Sequence, residues 1–313
     1  MSSNTIPVWM DVDTGTDDAV ALLLLHALPE TSIVGLSAVS GNSPVSCTWR
    51  NTRCINTILG TDYPVYRGAE KPILREPFHA IGVHGDNGLG NVDVELPPNE
   101  TVHEEAAWDA LYLAAKEHEG ALRLVATGPL TNLAIAFAKY PELPKLLHSI
   151  LIMGGATTEG NVTSAAEFNI YADPDAAEVV LKCGAPIVLF PLDVTETVCM
   201  TPEDMDELLE AGNAAGKFAH DVLQYPWLHF HKKWGNPGVQ MHDSCPVMYL
   251  AHPELFDGEE AGVVVETKGT VTLGKTVTDL YSDKHYDFKN ALVILEADTK
   301  AFMEKLKDMI KKI

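Results

Sequence analysis

The chain has 313 residues, 46% of them apolar and 21% charged, and its 44 acidic side chains outnumber 22 basic ones for a formal net charge of −22. That apolar share excludes a disordered chain and suffices for a sizeable core. The charge repels phosphate backbones and anionic lipid, so it argues against nucleic-acid polymers and membranes as partners, and for a small neutral or cationic ligand or a metal ion.

Apolar, β-branched runs alternate with longer amphipathic ones. In chain order the expected strands are IPVWMDV (6–12), SIVGLSAV (32–39), YPVYRG (63–68), LRLVATG (122–128), SILIMGG (149–155), PIVLFPLDV (186–194), GVVVET (262–267) and ALVILEA (291–297). The expected helices are DDAVALLLLHAL (17–28), CTWRNTRCINTILG (47–60), EEAAWDALYLAAKEH (104–118) and DPDAAEVVLKC (173–183). This alternation predicts an α/β fold, an open and mostly parallel sheet covered by helices on both faces. No linker-like stretch or repeat interrupts it, so one domain spanning 1–313 is expected. Residues 223–240, LQYPWLHFHKKWGNPGVQ, read as an irregular flap.

The five cysteines (Cys47, Cys54, Cys183, Cys199, Cys245) form no C-x-x-C pair, which suits reduced thiols in the cytoplasm. MSSNTIPV lacks the layout of a secretory signal, and the longest apolar run, AVALLLLHAL, is about half of a membrane span. A cytoplasmic protein is expected.

The expected strand ends run into polar residues: Asp11 and Asp13, Gly41-Asn42, Thr127-Gly128 and Gly154-Gly155. Ligands of open α/β sheets gather at that rim. The densest group is DVDTGTDD, residues 11–18, with Asp11, Asp13, Asp17 and Asp18. Asp17 and Asp18 suit a helix start, where the dipole welcomes acids, but that leaves Asp11 and Asp13 unexplained. Only one of the latter two is expected to share a pocket with the helix-start acids. Gly15 supplies the turn between them, and a hard divalent cation would relieve the repulsion of about three carboxylates. An EF-hand fails on register, because its glycine belongs at the sixth loop position and Gly15 is fifth from Asp11. A haloacid-dehalogenase-type phosphatase also begins with strand-D-x-D, but Gly15 stands where its Thr belongs. Neither dinucleotide nor P-loop glycine motifs are present.

DVDTGTDDAVAL resembles the opening D-x-D-x-G-x-D-D motif of the inosine–uridine-type nucleoside hydrolases. SGN (40–42), TGPLTNLA (127–134), MGG with GN and AEFNIYADPDAA (153–177), HD (242–243) and GKTVTDLY (274–281) follow in the family's order. The likeness runs from about residue 6 to about 295. It implies a calcium-dependent nucleoside N-ribohydrolase on an open, largely parallel sheet, acting on a small ribonucleoside and assembled as a homodimer or homotetramer.

Carried over residue by residue, Asp13, Asp18, Asp243 and the carbonyl of Thr127 would hold Ca²⁺, with Asp13 also the general base. Asp17, Asn42, Asn161, Glu167 and Asn169 would bind ribose, with Met153 and Phe168 beside the sugar. His242 and His84 would attend the leaving base. The physical logic agrees: glycosidic cleavage builds positive charge on the sugar, which acids stabilise, and the departing base needs a proton or a hydrogen bond. Asp11 is left as a neighbouring structural acid, and Thr131 as a helix cap beside Asn132. Thr14 departs from the family's usual proline and is expected to loosen the turn. Over 225–240 the match is poor; Tyr225, Phe230 and His231 are the candidates to cover the base, and His242 points to non-specific or pyrimidine-leaning branches. The alternatives are a non-catalytic calcium- and ribose-binding relative, and the phosphatase with Asp11 as nucleophile.

Overall fold

The computed structural model describes residues 5–80, 82–97, 101–280 and 286–313, and of residues 230–234 the backbone alone. The first third contains β1 (Ile6–Val12), α1 (Thr16–Ala27), β2 (Thr31–Ala38), α2 (Val45–Leu59) and β3 (Val65–Arg67). Next come α3 (Ala107–Glu117), β4 (Leu122–Ala126), α4 (Thr131–Lys139), α5 (Leu143–Leu146), β5 (Leu147–Met153), α6 (Phe168–Ala172), α7 (Pro174–Leu181) and β6 (Ile187–Phe190). The last part holds α8 (Leu192–Thr195), β7 (Cys199–Met200), α9 (Pro202–Glu210), α10 (Ala214–Trp234), β8 (Val239–Gln240) and α11 (Ser244–Ala251). After a 3₁₀ turn at Pro253–Leu255 the chain ends with β9 (Phe256–Val265), β10 (Thr276–Asp279), β11 (Ala291–Ala297) and α12 (Thr299–Ile310).

The main sheet has the order β10-β9-β11-β6-β5-β4-β1-β2-β3. Every pairing from β3 to β11 is parallel, and only β9 runs antiparallel to its neighbours β10 and β11. Along β1 the period-2 pleat divides the side chains: Val8, Met10 and Val12 join one apolar core and Trp9 the other. Both faces are therefore covered, as the apolar strands require. α1 is buried from Asp18 to Leu25 because it lies under α10, α11 and α12, which explains its apolar residues all round.

The chain adds β2 and β3 on one side of β1, then returns to lay β4, β5 and β6 on the other. The order thus reverses between β1 and β4, opening a crevice beyond their carboxyl ends. Asp13 follows β1 there, and Thr127 follows β4, tied back by its N–H to the Asp11 carbonyl at 2.9 Å.

Three expectations change. The LDV of PIVLFPLDV leaves the strand and forms α8. GVVVET is the end of a ten-residue strand. The supposed irregular flap is helix as far as Trp234, with Pro226 inside α10. A proline there removes one bond to the carbonyl four residues back, that of Val222. Gly90 (φ +60°) packs so closely on that carbonyl that a Cβ would stand 2.4 Å from its oxygen, so the loop at Gly90 closes over the gap.

Candidate active site

The acid turn is built from β1 and α1. Gly15 precedes the helix, and its N–H donates to Asp18 Oδ2 at 2.9 Å. Asp18 Oδ1 accepts the Thr127 hydroxyl at 2.7 Å, joining the first turn of α1 to the end of β4. Asp13 Oδ2 accepts the Asn42 N–H at 2.7 Å, while the Asn42 side-chain amide donates to the Asp13 carbonyl (3.3 Å) and to Asp18 Oδ2 (3.4 Å). Close approach demands glycine at position 41, where a Cβ would stand 2.1 Å from Asp13 Oδ2.

Asp17, Asp18 and Asp243 each bring an oxygen within 4.8 Å of the other two. Burial raises the Asp13, Asp18 and Asp243 carboxyls well above the usual range, and the neighbouring acids raise them further. At Asp18 burial and the Asp17 charge outweigh the Gly15 N–H and Thr127 hydroxyl bonds, which favour the ionised form. Asp13 Oδ1 and Asp17 Oδ1 are buried without a hydrogen-bond partner among the described residues. Unsatisfied buried carboxylate oxygens crowded together, all hard donors, fit a divalent cation. The Thr127 carbonyl also faces this region and accepts the Asn169 amide at 2.7 Å.

Asp11 goes elsewhere. Its Oδ1 accepts the Ser37 hydroxyl and the Asn132 amide (2.8 Å), and burial holds its carboxyl up at about 7. Trp9 Nε1 donates to Ser37, and Asn132 Oδ1 accepts the Ala69 N–H. Asn132 therefore ties two sheet-end segments together below the site. Thr131 is the first residue of α4, and its hydroxyl donates to Asp173 Oδ2 (2.7 Å) instead of capping the helix. Thr14 is fully buried and its hydroxyl meets that of Thr52 at 2.7 Å. The turn is pinned there to α2, so threonine in place of proline does not loosen it.

The two histidines face the same cavity. His84 Nδ1 lies 3.0 Å from the Thr16 hydroxyl and accepts the Thr16 N–H at 3.2 Å. His242 Nδ1 lies 2.8 Å from the Thr195 hydroxyl. Burial lowers both rings below the usual imidazole range. Asp17 opposes this at each, while His84 disfavours charge on His242.

The cavity has a volume of about 620 Å³. Asp17, Asn42, His84, Thr127, Met153, Asn161, Glu167, Phe168, Asn169, His242 and Asp243 all line it, with Asp13 and Asp18 below. Glu167 caps α6: its carboxylate accepts the Asn169, Ile170 and Gly155 N–H groups, and burial still raises it to about 7. Asn161 accepts the Phe168 N–H at 2.9 Å. Phe78, tilted against Phe168 at 6.1 Å and edge-on to Tyr171 at 5.3 Å, adds an aromatic wall that sequence reasoning missed. Among the described residues of the 225–240 region, Pro226, Asn236, Val239 and Gln240 line it. Tyr225 is outside the lining and pairs with His229, and the side chains of Phe230 and His231, like Tyr281 of the late segment, lie outside the described residues.

The sequence pattern described as inosine-uridine preferring nucleoside hydrolase matches residues 8–304. The chain belongs to that family. A pyrimidine-specific ribonucleoside hydrolase, RihA, of Escherichia coli is 39% identical over 98% of each chain. Among solved structures, a plant nucleoside hydrolase, PpNRh1, superposes with a TM-score of 0.92 at 28% identity, covering 98% of this chain and 99% of that one. A purine-preferring ribonucleoside hydrolase from Gardnerella vaginalis gives 0.92 at 29% identity, covering 98% of each. This nucleoside hydrolase is thus an enzyme that cleaves N-glycosidic bonds, and among its described residues no helix is long and apolar enough to cross a membrane.

Proposed function

We propose that this nucleoside hydrolase is calcium-dependent and releases free base and ribose from pyrimidine ribonucleosides in preference to purine ones. The observation that carries the metal reading is the group of buried acids with unpartnered oxygens under a cavity of nucleoside size. Asp13, Asp18, Asp243 and the Thr127 carbonyl would hold the ion, which when bound neutralises the acids, orients the ribose hydroxyls and makes water more acidic. The shared oxygens of Asp17, Asp18 and Asp243 also suit Asp17 to that neighbourhood, beside its expected role towards a ribose hydroxyl.

The residues then divide the work. Asp13 Oδ1 takes a proton from the water that attacks the anomeric carbon. The C–N bond breaks, its electron pair leaves with the base, and positive charge develops on the sugar ring. Asp17 and Glu167 stabilise that charge, while Asn42, Asn161 and Asn169 hold the hydroxyls. His84 and His242 stand where the base departs; burial lowers both rings, so as neutral imidazoles each can donate an N–H hydrogen bond to the leaving base. The base takes up through solvent a proton equal to the one that Asp13 removes from water and then releases. Met153 and Phe168 exclude water from the sugar.

Base preference follows the 39% identity to the pyrimidine-specific relative, together with His242. A panel of uridine, cytidine, inosine and adenosine, assayed for ribose release with and without chelator, tests the reading. Ribose release that survives thorough chelation would refute the metal role, and faster turnover of inosine than uridine would reverse the preference. The resemblance further supports a single catalytic domain, a cytoplasmic location and assembly as a homodimer or homotetramer.

A further inference from the structure

The late segment GKTVTDLY has no place in the chemistry above, yet its first residues grip the loop that leads to Asn161. Lys275 Nζ lies 3.0, 3.2 and 2.5 Å from the carbonyl oxygens of Ala156, Thr157 and Thr158. Next to it, the Thr276 hydroxyl accepts the Ala156 N–H and donates to the Ala156 carbonyl, both at 2.9 Å. Gly155 (φ +79°) makes room, since a Cβ there would stand 2.9 Å from Thr276.

A second anchor holds two of these three residues, Thr157 and Thr158, through their other polar groups. Asp193 of α8 accepts the Thr157 N–H (2.7 Å), the Thr157 hydroxyl (2.6 Å) and the Thr158 hydroxyl (3.0 Å). The run 156–158 is therefore clamped between an ammonium on its carbonyls and a carboxylate on its donors. Bonds to charged groups are the strong kind, and an ammonium uses all three of its hydrogens here. Three residues on, Asn161 is exposed at the cavity rim, and Val162 lines it too.

We infer that Lys275 and Asp193 are positioning residues that fix the 156–162 segment over the cavity and so set affinity for the ribose half of the substrate through Asn161. The ribose role of Asn161 rests on the function proposed above. Neither Lys275 nor Asp193 lines the cavity, so both act through the loop.

The test compares wild type with Lys275→Met, which keeps the stem and removes the charge, Lys275→Arg, and Asp193→Asn. We expect KM for uridine and Ki for free ribose to rise together about tenfold in Lys275→Met, with kcat changed by less than about threefold. Calcium affinity measured by titration stays at the wild-type value, and Lys275→Arg recovers part of the KM loss. Hydrogen exchange at residues 156–162 quickens in Lys275→Met and in Asp193→Asn, whether or not either variant turns over. Unchanged exchange in this segment, or a fall in kcat at constant KM, overturns the inference. A wild-type protein that releases no ribose overturns the proposed function instead, and the exchange data then decide the clamp alone.

Discussion

Thr16 turns two groups, its backbone N–H and its hydroxyl, towards one atom, Nδ1 of His84. The N–H has no alternative but to donate, so Nδ1 is an acceptor and the ring proton of neutral His84 sits on Nε2. The first turn of α1 thus sets the tautomer of a histidine that lies 68 residues away in sequence. We expect His84→Ala to lower kcat for uridine about 100-fold. His84→Gln should recover part of it by returning a side-chain N–H. Equal loss in both variants would assign His84 to packing.

Asp13→Asn keeps the size of the side chain and an oxygen for the Asn42 N–H. It removes the base. Turnover should fall about 1,000-fold while uridine still binds, as read from kcat and from equilibrium titration. Near-normal turnover would move the general base elsewhere.

Calcium stabilisation should grow with pH. In the metal-free fold the Asp18 carboxyl is raised from 3.8 to about 7, with Asp13 and Asp243 also raised. A raised folded pKa gives stability that is full below the unfolded value and lost as pH rises through the folded one. The stripped protein therefore loses this contribution between about pH 4 and 7. Buried His84 and His242, lowered in the fold, work in the opposite direction. The difference in Tm between loaded and stripped protein isolates the acids. It should widen from pH 5 to 7.5, and binding near neutral pH should release protons into a weak buffer. A difference that narrows as pH rises contradicts the acid-cluster site.

Asn132→Leu removes the amide from Asp11 and the acceptor from the Ala69 N–H, leaving both buried. Urea unfolding should show a loss of about 1–3 kcal/mol or more. Because Asn132 touches neither the cavity nor the clustered acids, calcium affinity should change little.

What the sequence made legible follows from locality. β1 and α1 show their periodicity within a dozen residues, and DVDTGTDD carries its acids, turn glycine and helix start in one stretch, so fold class and acid turn could both be read. Asn161, Glu167 and Asn169 entered through resemblance alone, Asn42 also as a polar residue at a strand end, and all four line the cavity. Phe78 gave no signal, because a lone aromatic in a loop has no period. Lys275 entered only within GKTVTDLY and without a role, because its three carbonyl partners stand 117 to 119 residues away. Thr14 was misread because the consequence of losing proline depends on Thr52, 38 residues away. The helix through Pro226 was misread because a proline usually ends a helix, whereas here α10 runs on past it, with Gly90 from another part of the chain packed on the Val222 carbonyl.

Among the described residues, the cavity is lined by carboxylates, amides, histidines and apolar side chains, with no lysine or arginine. A 5′-phosphate brought there would meet the acids Asp17, Glu167, Glu196 and Asp243. On the function proposed above, the acids that would stabilise a cationic sugar would also disfavour a phosphorylated one, so uridine should be turned over in preference to its 5′-monophosphate.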